Sequence, residues 1–361
     1  MNFFERTIEP DVDELIDIIR REQTGKRVHC IELFLDQEIK NLICERFNLG
    51  EEIKPNEPFA DLKRDIELHR FLGYDVFRIA GRSEDIFTLK TNAAPDTTEA
   101  IRQSRGQRLW QEEHVGVIRS WADFEKYNWP IVSDMDFSAF EWMDKNLPAN
   151  MGCYNLTAHI FETVSFLLGY ETMCYKMFDE PELVDAIYEK VGQFYVEYTR
   201  EMCEFSSVKL IWGSDDFGFR TGTLVSPQVL RETVLPWHKK CARIAHEHDR
   251  PYLLHSCGKI DEIMDELIDD VGIDAKHSFE DVIMPVSRFK KRYGGRLAVL
   301  GGIDVDFLCR RDEQAVRKRV RQTLQECIPG GGYCLGTGNT VANYIPVDNY
   351  LAMLDEGRRF V

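Results

Sequence analysis

The sequence predicts an α/β chain closed into a (β/α)8 TIM barrel, with a β-hairpin/helical insertion in its N-terminal half at about residues 84–150. Three observations lead there. From residue 208 onward, short apolar runs alternate with helix-length segments, the pattern of parallel strands joined by right-handed crossovers. About eight strand-like runs over 361 residues suit a closed ring better than an open sheet. Finally, Glu32, Asp215, Asp216, His255, Cys257, His277, Asp304 and Cys334 all fall where such runs stop, the end of a barrel at which functional groups collect. No repeat, low-complexity stretch or linker divides the chain, so residues 1–361 are expected to form one domain.

The elements follow in order. Apolar residues at 12, 15, 16, 18 and 19 give residues 11–21 a helical period, with Asp11 or Asp13 able to cap. Residues 26–35 (KRVHCIELFL) read as the first strand, with Glu32 near its far end. A helix over 61–72 stops at Gly73, and residues 74–79 form the second strand. Residues 84–121 read as a hairpin excursion, through Phe87–Thr91, Arg108–Gln111 and His114–Ile118, and short helices follow at 121–127 and 134–146. Met151–Leu156 is the next strand, and Pro181 opens a long helix to about Cys203. Val208–Gly213 delivers Ser214-Asp215-Asp216, and Ser226-Pro227 starts a helix reaching His248. Strands at 252–257, 273–277, 296–304 and around Cys334 alternate with helices at 260–270, 285–293 and 312–326.

Composition narrows the function. Hydrophobic residues at 43% and charged residues at 30% describe a globular chain with ample core. A net charge of −17 argues against nucleic acid or an anionic membrane as partner. The N-terminal residues lack the basic and apolar regions of a signal peptide, and no apolar run approaches the roughly 20 residues of a bilayer span. Ten scattered cysteines then read as mostly free thiols, and a cytoplasmic location is expected.

The chemistry is concentrated in Tyr252–Lys259 (YLLHSCGK). In an extended chain His255 and Cys257 project to one face while Ser256 points away. Cys334, set between glycine clusters near the C-terminus, is the candidate third partner. Two thiolates and one imidazole would leave one position on a tetrahedral zinc, the count of a catalytic site. The alternative is a hydrogen-bonded core histidine with cysteines acting as small hydrophobes. Asp215, Asp216, Glu32 and His277 are the candidate acids or bases beside it. For the aspartates and Glu32, helix capping or an ordinary ion pair competes with a pocket role.

Trp212–Asp216 (WGSDD), the Ser226-Pro227 helix start, and Gly332–Asn339 (GYCLGTGN) leading to Pro346–Asn349 (PVDN) resemble the uroporphyrinogen decarboxylase superfamily. Within it, an HxC at one strand end plus a later cysteine is similar to the zinc-binding, cobamide-dependent methyltransferases. The resemblance implies Zn2+ on His255, Cys257 and Cys334. It also implies a corrinoid (cobamide) carried by a separate corrinoid protein, because no DxHxxG-type signature is present here. The decarboxylase itself is disfavoured, since residues 26–36 offer too few cations to grip a polycarboxylate. The expected activity is O-demethylation: a methyl group moves from a small methylated substrate, such as a methoxylated aromatic, to the partner's Co(I). The alternatives are a methylcobamide:thiol methyltransferase, a decarboxylase-like enzyme, and a metal-binding barrel without chemistry. Phe87, Trp110, Trp121, Tyr127 and Trp129 in the insertion are expected either to receive an aromatic ring or to pack on one another.

Overall fold

The computed structural model describes residues 3–79, 86–96, 98 and 104–360. Among the described residues ten strands, numbered in chain order, carry the fold: β1 (Val76–Arg78), β2 (Thr91–Pro95), β3 (Gln107–Gln111), β4 (Gly152–Tyr154), β5 (Leu156–Thr157), β6 (Ile211–Ser214), β7 (Tyr252–His255), β8 (Ala275–His277), β9 (Ala298–Leu300) and β10 (Tyr333–Cys334). Strands β5 to β10 lie side by side in sequence order, all parallel. β1 pairs with β4, and a parallel bridge from Cys153 to Val208 joins that pair to the segment entering β6. Parallel bridges from Cys30 to Leu335 and from Leu35 to Val341 bring residues 30–35 alongside the last strand. Counting β4 and β5 as one strand broken at Asn155 gives eight positions, the number of a (β/α)8 barrel. The expected continuous strand over 26–35 is reduced to those two single bridges.

Alternation along the strands sorts the core into two layers. Trp212, Leu253, Ala275, Ala298, Leu300 and Cys334 point inward, and the helix Val12–Ile19 packs its Val12, Leu15, Ile18 and Ile19 against them to close one end. Their neighbours Ile211, Leu254 and Val299 face outward under the helices. The same alternation carries His255 and His277, in register with each other, into the interior one step beyond Leu253 and Ala275.

The insertion forms as a hairpin, β2 against β3 in antiparallel register, although β2 starts at Thr91 and the expected Phe87–Lys90 portion is not strand. Its third expected piece, 114–118, is not a strand. Gly116 and Ile118 instead donate backbone N–H groups to Leu168 and Leu167 at the end of the helix Ile160–Leu168. A Cβ on Gly116 would lie 2.2 Å from the Leu167 carbonyl oxygen, so a glycine is required there. Pro236 interrupts the helical run after Ser226; its missing N–H is accommodated by a π-helical turn at Leu230–Val234. Among the described residues, no helix is long and apolar enough to cross a membrane.

Candidate metal centre at the barrel mouth

His255 ends β7, and the chain turns at once through Ser256, Cys257 and Gly258. Gly258 has φ +78°, and a Cβ there would come within 2.2 Å of Gly218. Only glycine lets the 257–258 turn press against the loop after β6, and that loop supplies Asp216. The Asp216 Oδ1 accepts the Cys257 backbone N–H at 2.7 Å and lies 3.6 Å from His255 Nε2. His255 Nε2 is in turn 3.4 Å from Cys257 Sγ. Among the described residues these three donor atoms, all within 4.8 Å of one another, are the one such group of His, Cys, Asp and Glu. A tetrahedral zinc with bonds of about 2.0–2.3 Å separates its donors by roughly 3.3–3.8 Å. The two separations from His255 Nε2 fall inside that interval and all three atoms lie within 4.8 Å, so the residues fit a tetrahedral cation.

The surroundings prepare each donor. His255 Nδ1 meets His277 Nδ1 at 2.8 Å. Burial holds both rings neutral, His255 at a pKa of about 4 and His277 well below its ordinary value. One nitrogen must donate and the other accept, so a proton on His255 Nδ1 leaves Nε2 as a lone pair facing Asp216 and Cys257. Cys257 Sγ receives the Asn339 side-chain N–H at 3.3 Å and the Ser278 hydroxyl at 3.4 Å. Burial, followed by the nearby Asp216 carboxylate, pushes its thiol pKa up, so a cation would have to displace the proton. Lys276 points outward from β8, and its Nζ donates to the carbonyls of Ser256, His277 and Ser278 at 3.3, 3.1 and 2.6 Å, tying the ends of β7 and β8 together.

Two of the three expected ligands therefore meet, and Cys334 does not join them. It points inward as His255 does, but it sits among Leu300, Ala298 and Ile19 in the apolar interior, fully buried. Register explains this: Cys334 pairs with Leu300, Leu300 with His277, and His277 with His255. Three strand spacings of about 4.8 Å put Cys334 on the order of 14 Å around the wall. Because strands tilt about 36° from the axis, it also lies deeper. The chain reaches the mouth only at Thr337 and Asn339.

The four candidate acids separate as well. Asp216, expected as an acid, supplies the third atom of the group that could hold a cation. Asp215 turns outward and accepts backbone N–H groups from Ile160, Phe161 and Glu162 at 3.0, 2.8 and 2.9 Å, capping the helix Ile160–Leu168 instead of entering the pocket. Glu32 lies outside the mouth. Thr337 N–H donates to its Oε1 at 2.9 Å, and Thr337 Oγ is 2.6 Å from Oε2 and 2.8 Å from the Asn339 carbonyl. One hydroxyl proton cannot serve both oxygens, so a protonated Glu32 donating to Thr337 completes the chain. Burial raises the Glu32 pKa to about 8, in agreement. His277 orients His255 from behind. Asp304 caps the helix Val305–Arg310 through the Phe307 N–H.

A residue that the sequence did not single out stands beside the group. Glu162, in the first turn of the helix that Asp215 caps, shares a cleft of about 550 Å3 with Asp216, Phe161, Phe166, Tyr170 and Phe219. Burial raises its pKa to about 7, with His159 3.5 Å away pulling the other way. The signal was available: Glu162 falls in the first turn of a helix following a strand end. A second cleft, of about 630 Å3, reaches the group through Asn339 and is rimmed by Asp304, Arg310, Arg311 and Tyr344. The aromatic residues of the insertion do not line the first cleft: Phe87 packs on Phe194 and Tyr195, while Trp129 packs on Phe124 and Tyr127.

A family model for uroporphyrinogen decarboxylase (URO-D) matches residues 117–360, most of the chain. This chain belongs to that family. Among solved structures, the URO-D chain resembles a methyltransferase from Methanosarcina mazei (TM-score 0.68, 14% identity, 97% of this chain and 99% of that one). Weaker likenesses are to a putative vitamin-B12-independent methionine synthase from Listeria monocytogenes (TM-score 0.46, 12% identity, 98% of each chain) and to a B12-independent methionine synthase from Shewanella (TM-score 0.49, 11% identity, 81% and 83%). A search of curated proteins finds no match.

Proposed function

We propose that this URO-D family member is a zinc-dependent methyltransferase of a corrinoid system. It takes the methyl group of a methoxylated substrate, an aromatic ether first among them, for the reduced corrinoid of a partner protein. The donor set carries this reading. One thiolate, one carboxylate and a neutral imidazole would bring Zn2+ to a net charge of zero, the same as two thiolates and an imidazole, but the carboxylate donates less electron density to the ion than a second thiolate would. A less electron-rich site is the better activator of an ether oxygen and the poorer keeper of a nucleophilic thiolate. An ion held by Asp216, His255 and Cys257 would supply that electrophile, with one tetrahedral position left for substrate.

The chain's own groups complete the chemistry. When the methyl–oxygen bond breaks, its electron pair leaves with the oxygen, and Glu162 is placed in the cleft to give that oxygen its proton. Its raised pKa keeps it partly protonated near neutrality. His277 fixes the His255 ring, and Asn339 and Ser278 hold the sulfur of Cys257. The likeness in fold to a methyltransferase supports the same reading.

The test is anaerobic transfer with the zinc-loaded protein. Conversion of cob(I)alamin to methylcobalamin by a panel of methoxylated aromatics is the expected result. Methylation of a thiol from methylcobalamin, with no reaction of ethers, would assign the enzyme to thiol methylation instead. Metal binding with no transfer in either direction would leave a metal-binding barrel.

A further inference from the structure

Of the clefts near the metal group, the one lined by Asp216 has the most selective walls. Phe161, Phe166, Tyr170 and Phe219 supply aromatic surface, and Glu113, Glu162 and Asp216 supply carboxylates. Among the described residues, no lysine, arginine or histidine lines it. The second cleft differs, with Arg310 and Arg311 on its rim. We infer that the cleft beside Asp216 takes a methylated ligand bearing no negative charge, an uncharged methoxyarene, and turns away the same ring carrying a carboxylate.

The physical basis is direct. Aromatic walls bind a ring by offset or edge-to-face packing regardless of its substituents. A ring carboxylate would be held in the cavity beside the Glu113 carboxylate and the ionised fraction of Glu162, with Asp216 already engaged by the cation, and like charges brought together there are penalised. Such a ligand would also find few donors for its charge, since the hydroxyls of Tyr170, Ser165 and Thr223 are committed to the carbonyls of Leu224, Glu162 and Val225 at 2.6, 2.8 and 2.6 Å, leaving Thr221. About a hundredfold preference for the neutral ether follows. Glu113, exposed on the insertion side of the cleft, provides a handle on this field that is remote from the metal donors.

This inference rests on the proposed methyl-transfer reading only for which compound is consumed; the charge preference is read from binding alone. Equilibrium binding of 1,2-dimethoxybenzene and of 3,4-dimethoxybenzoate to the zinc-loaded protein is measured for wild type and for Glu113→Lys, with transfer to cob(I)alamin followed separately. The expected result is wild-type binding of the neutral ether about a hundredfold tighter, and a gap at least tenfold narrower in Glu113→Lys. Equal or tighter binding of the benzoate, no measurable binding of either ring, or a gap that Glu113→Lys leaves unchanged would overturn it. Selective binding without transfer would uphold the cleft assignment and sink the methyl-transfer reading. Efficient demethylation of a tightly bound benzoate would do the reverse.

Discussion

Cys334 was the expected third partner of His255 and Cys257, with Asp216 an expected acid, and in the structure it is Asp216 that lies beside them. A carboxylate 3.6 Å from the imidazole nitrogen is within reach of a shared ion, whereas a thiol packed among Leu300, Ala298 and Ile19 is not. Asp216→Asn should therefore lower zinc affinity at least tenfold. Cys334→Ala should keep one equivalent of zinc and cost about 1–2 kcal/mol of stability through a small cavity. Metal analysis after dialysis, beside denaturant unfolding, checks both. Glu32 makes a different prediction. With its pKa raised to about 8, it keeps its proton in the folded chain after losing it in the unfolded one. The associated stability is then complete below about pH 4 and is lost as pH rises through about 8. Glu32→Gln should flatten this decline, so its deficit relative to wild type should shrink, or reverse, between pH 5 and pH 8.5. Paired thermal melts at the two pH values read it.

At the scale of elements, strand alternation explains both what the sequence disclosed and what it hid. A period of two predicted that His255 and Cys257 share a face, and they do. Applied one strand earlier, it would have divided the two aspartates: Ser214 is in register with His255, so Asp216 follows it inward and Asp215 goes to the helix N-terminus. Alternation gives direction but not height, and for that reason Cys334, correctly aimed, is misplaced along the axis. The hairpin and the later strand–helix units were legible because each carries its own local period. The first strand was not, since residues 26–35 are tied down by side chains as much as by backbone pairing. There His29 lies 2.7 Å from Asp75 and 3.0 Å from Glu14, with Arg27 also on Asp75, binding the closing helix to the strand starts. His29→Leu leaves two buried carboxylates short of a partner and should destabilise by about 3–5 kcal/mol. Zinc content and the cleft should be untouched, which unfolding curves and metal analysis together would show.

Over the whole molecule, the barrel divides its labour between two ends. The end closed by Val12–Ile19 holds a buried charge cluster that serves stability. The other end, where β6 and β7 run out and the chain beyond β10 arrives, holds the group of Asp216, His255 and Cys257, Glu162 and the clefts. Family membership and fold agree with this polarity, while the chemistry rests on which three side chains meet. X-ray absorption at the zinc edge of anaerobically purified protein addresses that most directly. The predicted spectrum is a single sulfur at about 2.3 Å with the remaining ligands nitrogen or oxygen at about 2.0–2.2 Å. A shell of two sulfurs, or protein that takes up no zinc, would contradict it.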